Sequence, residues 1–333
     1  MEKILTISIA AYNAENDISR CLTSLINSGV LEKLDVVVVN DGSKDQTSKI
    51  VKEYVEKYKD SIRLIDKENG GHGSTINSSI KVAEGKYYKI LDSDDWVDSD
   101  NLAKLVCYLE SNNVDLVLNP YHEVLYSDHS AKKMIEMERG QLEYEIKYDI
   151  KKLSEKCVLY MHSLTFKTDI IKKMGSIIDE HCFYVDMEYS IFPMLYVKDF
   201  VYLDYSVYQY LLGSQTQSMN MQNMIKRRDQ HLKVIKRLIK FYNHYESNFS
   251  INIKNIIRLR IKYAVYQQYK IYFSMSEKSA LTEIKKFDSW LKKENLDLYS
   301  GVDGRFMKII NFNRKTNYMF FILTVKILKK TSL

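Results

Sequence analysis

Three carboxylates fall within four residues at Asp92-Ser93-Asp94-Asp95. Side chains so close repel one another when ionised. Capping the next helix explains one of them, Asp94 or Asp95, but gives no reason for the others to stand together. A hard divalent cation does, because Mg²⁺ and Mn²⁺ take carboxylate oxygens together with phosphate oxygens. Such an ion would hold a diphosphate and offset the charge that develops on it as it leaves. An acidic surface turn is the competing explanation.

Three further polar segments precede this cluster. In Ala10-Ala11-Tyr12-Asn13-Ala14-Glu15 an aromatic ring is followed by polar groups, which could stack on a base and hold a ribose. A turn in which Asn13 or Asn16 caps a helix explains the same residues. In Asn40-Asp41-Gly42-Ser43-Lys44-Asp45-Gln46-Thr47 the Asp-Gly pair makes a tight turn and Ser43 or Asp45 can cap. Asp41 sits where a carboxylate could accept a base N–H. Glu68-Asn69-Gly70-Gly71-His72-Gly73-Ser74 has glycines that allow close backbone approach to a ligand. It is neither a GxGxxG motif nor a P-loop, since no lysine follows the glycines. His72 could touch a phosphate or make a structural hydrogen bond.

These segments need a scaffold, and the periodicity supplies one. Residues 4–10 read as a buried strand, and 15–27 as a helix because Ile18, Cys21, Leu22, Leu25 and Ile26 recur at helical spacing. Val36-Val37-Val38-Val39 reads as a parallel strand covered on both faces. Residues 47–58 form a second amphipathic helix, 62–65 a strand, 74–83 a helix and 87–91 a strand. That alternation indicates an open α/β sheet, in which ligands bind at the carboxyl ends of the strands. All four polar segments lie there. A helix at 100–111 and a strand at 114–118 follow. The polar stretch 127–150 reads as an excursion that returns near 157–166. A strand at 200–204 leads into Val207-Tyr208-Gln209-Tyr210, and 221–293 reads as helical.

A chain of 333 residues, 45% hydrophobic and 28% charged, can bury a core of normal size in one large or two modest domains. Only 2 prolines and 11 glycines argue against long linkers. Cys21, Cys107, Cys157 and Cys182 form no CxxC pair, which excludes a cysteine-rich zinc module and a disulfide framework. Reduced, mostly buried thiols in a cytoplasmic protein are expected. No secretory signal follows Met1-Glu2-Lys3, and no apolar run is long enough for a spanning helix. Residues 222–333 hold 24 Lys and Arg against 8 Asp and Glu, a net +16, whereas residues 1–221 carry about −10. A basic end on an acidic body suggests an anionic partner. The segment 317–330 is aromatic and apolar and ends in lysines. It either lies in the interface of an anionic leaflet or packs as an ordinary helix with its lysines snorkelling outward. No nucleic-acid motif accompanies the charge, so nucleic acid is not an expected partner.

Taken together, Ser8-Ile9-Ala10-Ala11-Tyr12-Asn13, Val39-Asn40-Asp41-Gly42-Ser43, the stretch Asn69-Gly70-Gly71-His72-Gly73-Ser74-Thr75-Ile76-Asn77 and Ile90-Leu91-Asp92-Ser93-Asp94-Asp95-Trp96 resemble the family 2 glycosyltransferases. Those are inverting enzymes of the GT-A fold, here of the bacterial polysaccharide and glycoconjugate type. The order and spacing match over residues 4–100, and more weakly to about 219. The resemblance implies a GT-A catalytic domain at 1–220, with a nucleotide-sugar half (1–100) and an acceptor half (101–220), and a basic helical region at 221–333. It assigns Ala10, Tyr12, Asn13, Glu15 and Asp41 to the nucleoside, with Asp41 on the uracil of a UDP-sugar, and Gly71 and His72 to the same donor. Asp92, Ser93 and Asp94 would form the DxD element, with Asp94 the direct ligand of Mn²⁺ or Mg²⁺ and Asp92 at the ribose or sugar and beside the metal. Ala10 stands where many members have proline.

The same resemblance places the general base at Asp186 within Phe183-Tyr184-Val185-Asp186-Met187-Glu188-Tyr189, where Val185 replaces an expected glutamate and leaves Glu188 as runner-up. Inversion is a direct displacement at the anomeric carbon, so the acceptor hydroxyl must lose its proton as it attacks. Capping of a helix that runs into Ile191 and Leu195 is the plainer role for Asp186. Tyr208-Gln209-Tyr210 and 215–219 resemble the segment that closes over the diphosphate, with Ser214 and Gln215 where basic residues are common. Met161-His162-Ser163 resembles an acceptor-side segment, with a buried structural His162 equally open. The implied reaction is transfer from a nucleotide-diphospho-sugar to a hydroxyl of a glycan, glycolipid or glycoprotein, on or near the inner face of the cell membrane. The alternative is a non-catalytic carbohydrate- or partner-binding subunit of the same fold, against which Asp92, Asp94 and Asp186 argue. A nucleotidyltransferase should carry a basic glycine-rich loop where Ala11-Tyr12-Asn13 stand.

Overall fold

The computed structural model describes residues 2–175, 177–213, 220–275, 277–301 and 304–331. The chain divides into two compact units, Met1–Ser214 with Asn248–Ile253 and Gln215–Ser247 with Lys254–Leu333.

The first unit begins as a three-fold strand–helix repeat: β1 (Leu5–Ala11), α1 (Ile18–Ile26), β2 (Leu34–Asn40), α2 (Thr47–Lys57), β3 (Ile62–Asp66), α3 (His72–Val82) and β4 (Tyr87–Asp92). The four valines of β2 are all buried, as expected of a strand covered on both faces. These strands run parallel in the order β3-β2-β1-β4, with Ile9 paired to both Val38 and Leu91. The connections leave β1 on one side and return to the other, so the sheet reverses its direction of winding between β1 and β4. A crevice opens at such a switch point.

Beyond β4 the chain adds β5 (Trp96–Val97), α4 (Ser99–Ser111), β6 (Leu116–Leu118), β7 (Tyr121–Leu125), β8 (Asp128–Ile135), β9 (Tyr148–Asp149), β10 (Leu164–Lys167), α5 (Thr168–Met174), α6 (Asp186–Ile191), β11 (Asp199–Tyr202) and β12 (Tyr208–Leu212). Strands β10, β6, β11 and β9 extend the large sheet to eight, with antiparallel pairings at β4/β10, β10/β6 and β11/β9. The sheet is therefore parallel in the half that carries the polar loops and mixed beyond it. A second sheet, β5-β12-β7-β8, stands apart from it.

Several boundaries differ from the periodicity. The first helix starts at Ile18 rather than 15, because the backbone N–H groups of Asn13, Ala14 and Glu15 are held by Ser43 Oγ, Thr47 Oγ1 and Asp45 Oδ2 of the neighbouring loop (2.8–3.1 Å). The polar stretch 127–150 is no bare excursion: β8 forms a hairpin with β7, and β9 closes the edge of the large sheet. Asp98, not Asp94 or Asp95, caps α4, accepting from Asn101 N (3.0 Å).

The second unit is helical: α7 (Met221–Lys226), α8 (Arg228–Tyr245), α9 (Ile251–Ser274, whose first turn belongs to the first unit), α10 (Glu277–Glu294), α11 (Leu296–Ser300), α12 (Arg305–Lys315) and α13 (Phe321–Thr331). Val234, Ile235, Leu238, Ile239, Ile256, Ile257, Ile284 and Leu291 are buried in it. No helix among the described residues is long and apolar enough to cross a membrane. None of the four cysteines is in a disulfide, and Cys107 is the exposed one of the four.

Candidate active site

The acidic segment lies directly at the end of β4, beside the end of β1. One ligand oxygen each from Asp92, Asp94 and Asp95 fall within 4.8 Å of one another. The three are not equivalent. Asp95 is buried, and both its oxygens are engaged: Oδ2 accepts from Tyr208 Oη (2.6 Å) and Oδ1 from Leu211 N (2.8 Å), both on β12. Its role is to lock the acidic turn to the second sheet, not to start α4. Tyr208 Oη also accepts from Asp92 N (3.1 Å), so one buried hydroxyl joins the two ends of the turn.

From the other side α1 holds the same turn. Arg20 Nη2 donates to the Asp94 carbonyl (2.6 Å) and to Asp17 Oδ1 (3.0 Å), and its guanidinium lies 4.6 Å from the Trp96 ring centroid. Asp92 and Asp94, unlike Asp95, are not tied to β12 by their side chains. Burial pushes the carboxyl of Asp92 above its ordinary range, with His72 opposing and Asp186 adding. Burial, then Asp92, pushes Asp94 up to about 6. Negative charge is thus crowded into one half-buried turn, and a divalent cation would relieve that. Two carboxylates suit Mg²⁺ or Mn²⁺, which keep positions for water and phosphate oxygens.

Tyr12, at the end of β1, is 54% exposed, so its ring is available for stacking. Ala10 is partly buried in β1, opposite Asp92 in register. Asn13 and Glu15 are exposed but also bind the two first loops together: Asn13 Oδ1 accepts from Lys44 N (2.8 Å) and Glu15 Oε2 from Gln46 N (2.9 Å). Asn13 adopts φ +50°, a left-handed conformation that asparagine tolerates.

Asp41 is buried and heavily used within the protein. It accepts from Gly70 N (2.9 Å), Gly71 N (2.8 Å), Lys67 Nζ (2.9 Å) and Ser74 Oγ (3.3 Å). Lys67, the cation of this cluster, precedes the glycines rather than following them and was missed by the P-loop comparison. The glycine segment also departs from its expected use. A Cβ on Gly73 would sit 2.0 Å from the Asp179 carbonyl oxygen, and one on Gly71 would lie 3.1 Å from Cys182 N and His181 Cα. The room left by the missing side chains is filled by the protein's own 178–182 segment. Asn77 strengthens that seam, donating to Ile178 O (2.9 Å) and Glu180 Oε1 (3.0 Å).

This seam delivers α6. Asp186 opens that helix, half-buried, close enough to raise the proton affinity of Asp92 and Tyr210. Glu188, two residues on and so on the opposite side of the helix, is fully buried and its Oε2 accepts from Asp179 N (2.8 Å). It anchors the seam from inside the core. His72, first residue of α3, places Nε2 3.5 Å from Asp92 Oδ1. Ser93 is buried within the turn. Tyr208 and Tyr210 pack around His162, whose ring stacks on Tyr210 at 4.3 Å and meets Tyr121 and Tyr208 at 4.8 Å. Tyr208 therefore positions the acidic turn. The segment 214–219 lies outside the described residues.

An exposed aromatic ring and a pair of carboxylates lie at the carboxyl ends of β1 and β4, and a third carboxylate, from the second half of the unit, acts electrostatically on Asp92. A family model described as glycosyl transferase family 2 matches residues 6–175, just over half of the chain. The teichoic acid poly(glycerol phosphate) polymerase of Staphylococcus epidermidis is 32% identical over 201 residues, 59% of this chain and 27% of its own length. The chain thus spans about a quarter of that relative. The uncharacterized glycosyltransferase EpsJ of Bacillus subtilis is 26% identical over 249 residues, 74% of this chain and 71% of its own. The crystal structure of S. aureus TarS 1-349 in complex with UDP-GlcNAc shares the fold at TM-score 0.66 and 16% identity, covering 99% of this chain and 92% of that one. The expected GT-A architecture with a helical C-terminal region is borne out, and the chain belongs to glycosyltransferase family 2.

Proposed function

We propose that this protein transfers a sugar from a UDP-sugar to a hydroxyl of a cell-surface polymer or glycoconjugate, with inversion. The observation that carries the reading is the clustering of Asp92 and Asp94 at the end of β4, with the charge of Asp186, at the start of α6, near enough to act on Asp92. Tyr12 stacks on the base, and Asp41 holds the glycine segment that borders the nucleoside. Asp94 and Asp92 would hold Mn²⁺ or Mg²⁺, which when bound offsets the charge appearing on the departing diphosphate. Asp186 takes the acceptor's proton as the new C–O bond forms and the bond to the diphosphate oxygen breaks. The TarS complex with UDP-GlcNAc supports a UDP-sugar as donor. A polymer acceptor is supported by relatives such as the poly(ribitol-phosphate) beta-glucosyltransferase of Bacillus spizizenii, 34% identical over 117 residues. The basic second unit would hold the enzyme against an anionic membrane surface, where such polymers are assembled.

The test is a panel of nucleotide-sugars screened with and without Mn²⁺, followed by transfer assays. Asp94→Ala is expected to abolish metal-dependent donor binding. Asp186→Asn is expected to keep donor binding and lose transfer by roughly 10²–10⁴-fold. Near-normal transfer by Asp186→Asn would remove the base assignment. Absence of both nucleotide binding and turnover in the parent would favour a non-catalytic subunit.

A further inference from the structure

The second unit holds a cavity of about 230 Å³ between α10 and the end of α12. Its floor is a closed polar network. Asp288 accepts from Arg314 Nε (3.2 Å) and Nη2 (3.1 Å) and from the hydroxyls of Tyr269 and Tyr318. Arg314, with 7% of its side chain exposed, also donates to Tyr269 Oη (2.7 Å), Asn311 Oδ1 (2.9 Å) and the Tyr299 carbonyl (2.8 Å). Asp288 is therefore saturated, and its charge is offset by Arg314.

What remains at the rim is cationic and rich in donors. Lys285, Ser289 and Lys292 are spaced four and three apart on α10, which puts them on one face. Neither lysine has a carboxylate within ion-pair distance among the described residues. Asn317 completes the wall. A net positive, concave site of this size suits a phosphate with part of an esterified alcohol.

The neighbouring surface indicates where that phosphate comes from. Tyr318 ends the cavity wall, and the next residues are exposed apolar ones: Met319 (77%), Phe320, Ile322 and Leu323, with Phe320 stacked on exposed Phe312 at 5.7 Å. Lys315 and Lys326 flank them. Exposed apolar side chains beside basic ones are the pattern of a segment lying in an anionic bilayer interface.

We propose that the cavity is a phospholipid headgroup site: Lys285 and Lys292 receive the phosphate while Met319, Phe320 and Leu323 enter the acyl boundary. This rests on the membrane contact read above and adds its site. The test is co-sedimentation of the full chain with phosphatidylcholine vesicles, with and without phosphatidylglycerol. Binding is expected only with the anionic lipid. Lys285→Ala with Lys292→Ala should weaken it on the order of tenfold or more. A control pair, Lys240→Ala with Lys308→Ala, removes the same charge outside the cavity and should weaken it less. Met319→Ser with Phe320→Ser should also weaken it. Equal losses from the two lysine pairs would overturn the headgroup site and leave the membrane contact standing. No binding of the parent to anionic vesicles would overturn both. Saturable binding of glycerol 3-phosphate without vesicle binding would make free phosphate the ligand and refute the lipid assignment.

Discussion

Replacing Tyr208 by phenylalanine tests how the acidic turn is held, because it removes one oxygen and nothing else. That hydroxyl is buried, donates to Asp95 Oδ2 at 2.6 Å and accepts from Asp92 N at 3.1 Å. The lost bond to Asp95 counts about 1 kcal/mol, the usual net worth of a hydrogen bond in a folded protein. The Asp92 N–H loses its acceptor inside the protein, which costs a further ~1–3 kcal/mol. Unfolding free energy should therefore fall by about 2–4 kcal/mol in urea denaturation. The turn also positions Asp92 and Asp94, so the Mn²⁺ concentration needed for half-maximal donor binding should rise roughly tenfold to a hundredfold. A variant within about 0.5 kcal/mol of the parent, with unchanged Mn²⁺ dependence, would refute the idea that Tyr208 organises the site.

Gly73→Ala forces a Cβ to within 2.0 Å of the Asp179 carbonyl oxygen, so the 178–182 segment must shift. A loss of about 1–3 kcal/mol in stability is expected, with kcat reduced more than the donor KM is changed, because the seam leads to Asp186. Melting curves with steady-state kinetics check this, and an unchanged kcat would sink it. Lys89, 1% exposed on β4, donates to the carbonyls of His162 (2.8 Å) and Leu164 (3.2 Å), and burial pushes its ammonium down to about 7. From there up to the unfolded value of about 10.4 the unfolded chain binds a proton that the folded chain does not, so stability rises with pH by up to ~1.4 kcal/mol per unit. The stability difference between parent and Lys89→Met should therefore grow in the parent's favour from about pH 7 to about pH 10 and be flat below that window; a pH-independent difference in urea titrations refutes it.

How far the sequence alone reached depends on the range of the interactions involved. The valines of β2, the helical spacing of α1 and α2, and the placing of polar segments at strand ends are local patterns. They were enough for the parallel half-sheet, and for Tyr12, Asp41, Asp92 and Asp94 at its carboxyl edge. The resemblance to family 2 extended this to the GT-A fold, while Asp186 stays an assignment for the transfer assay to decide. The division of labour within the acidic cluster was not legible, since Asp95 is consumed by Tyr208 and Leu211, more than a hundred residues downstream. The same holds for the glycines. Gly71 and Gly73 look like a ligand cradle when read along the chain, yet their open space is filled by residues 178–182. Glu188 and Asp186 are two residues apart and chemically alike; only packing buries the first and leaves the second at the mouth. The amino-acid sequence by itself determined which chemistry was present and near which strand ends. Which side chains remain available for that chemistry was decided by tertiary structure, because hydrogen-bond partners and burial are set by segments that meet only after folding.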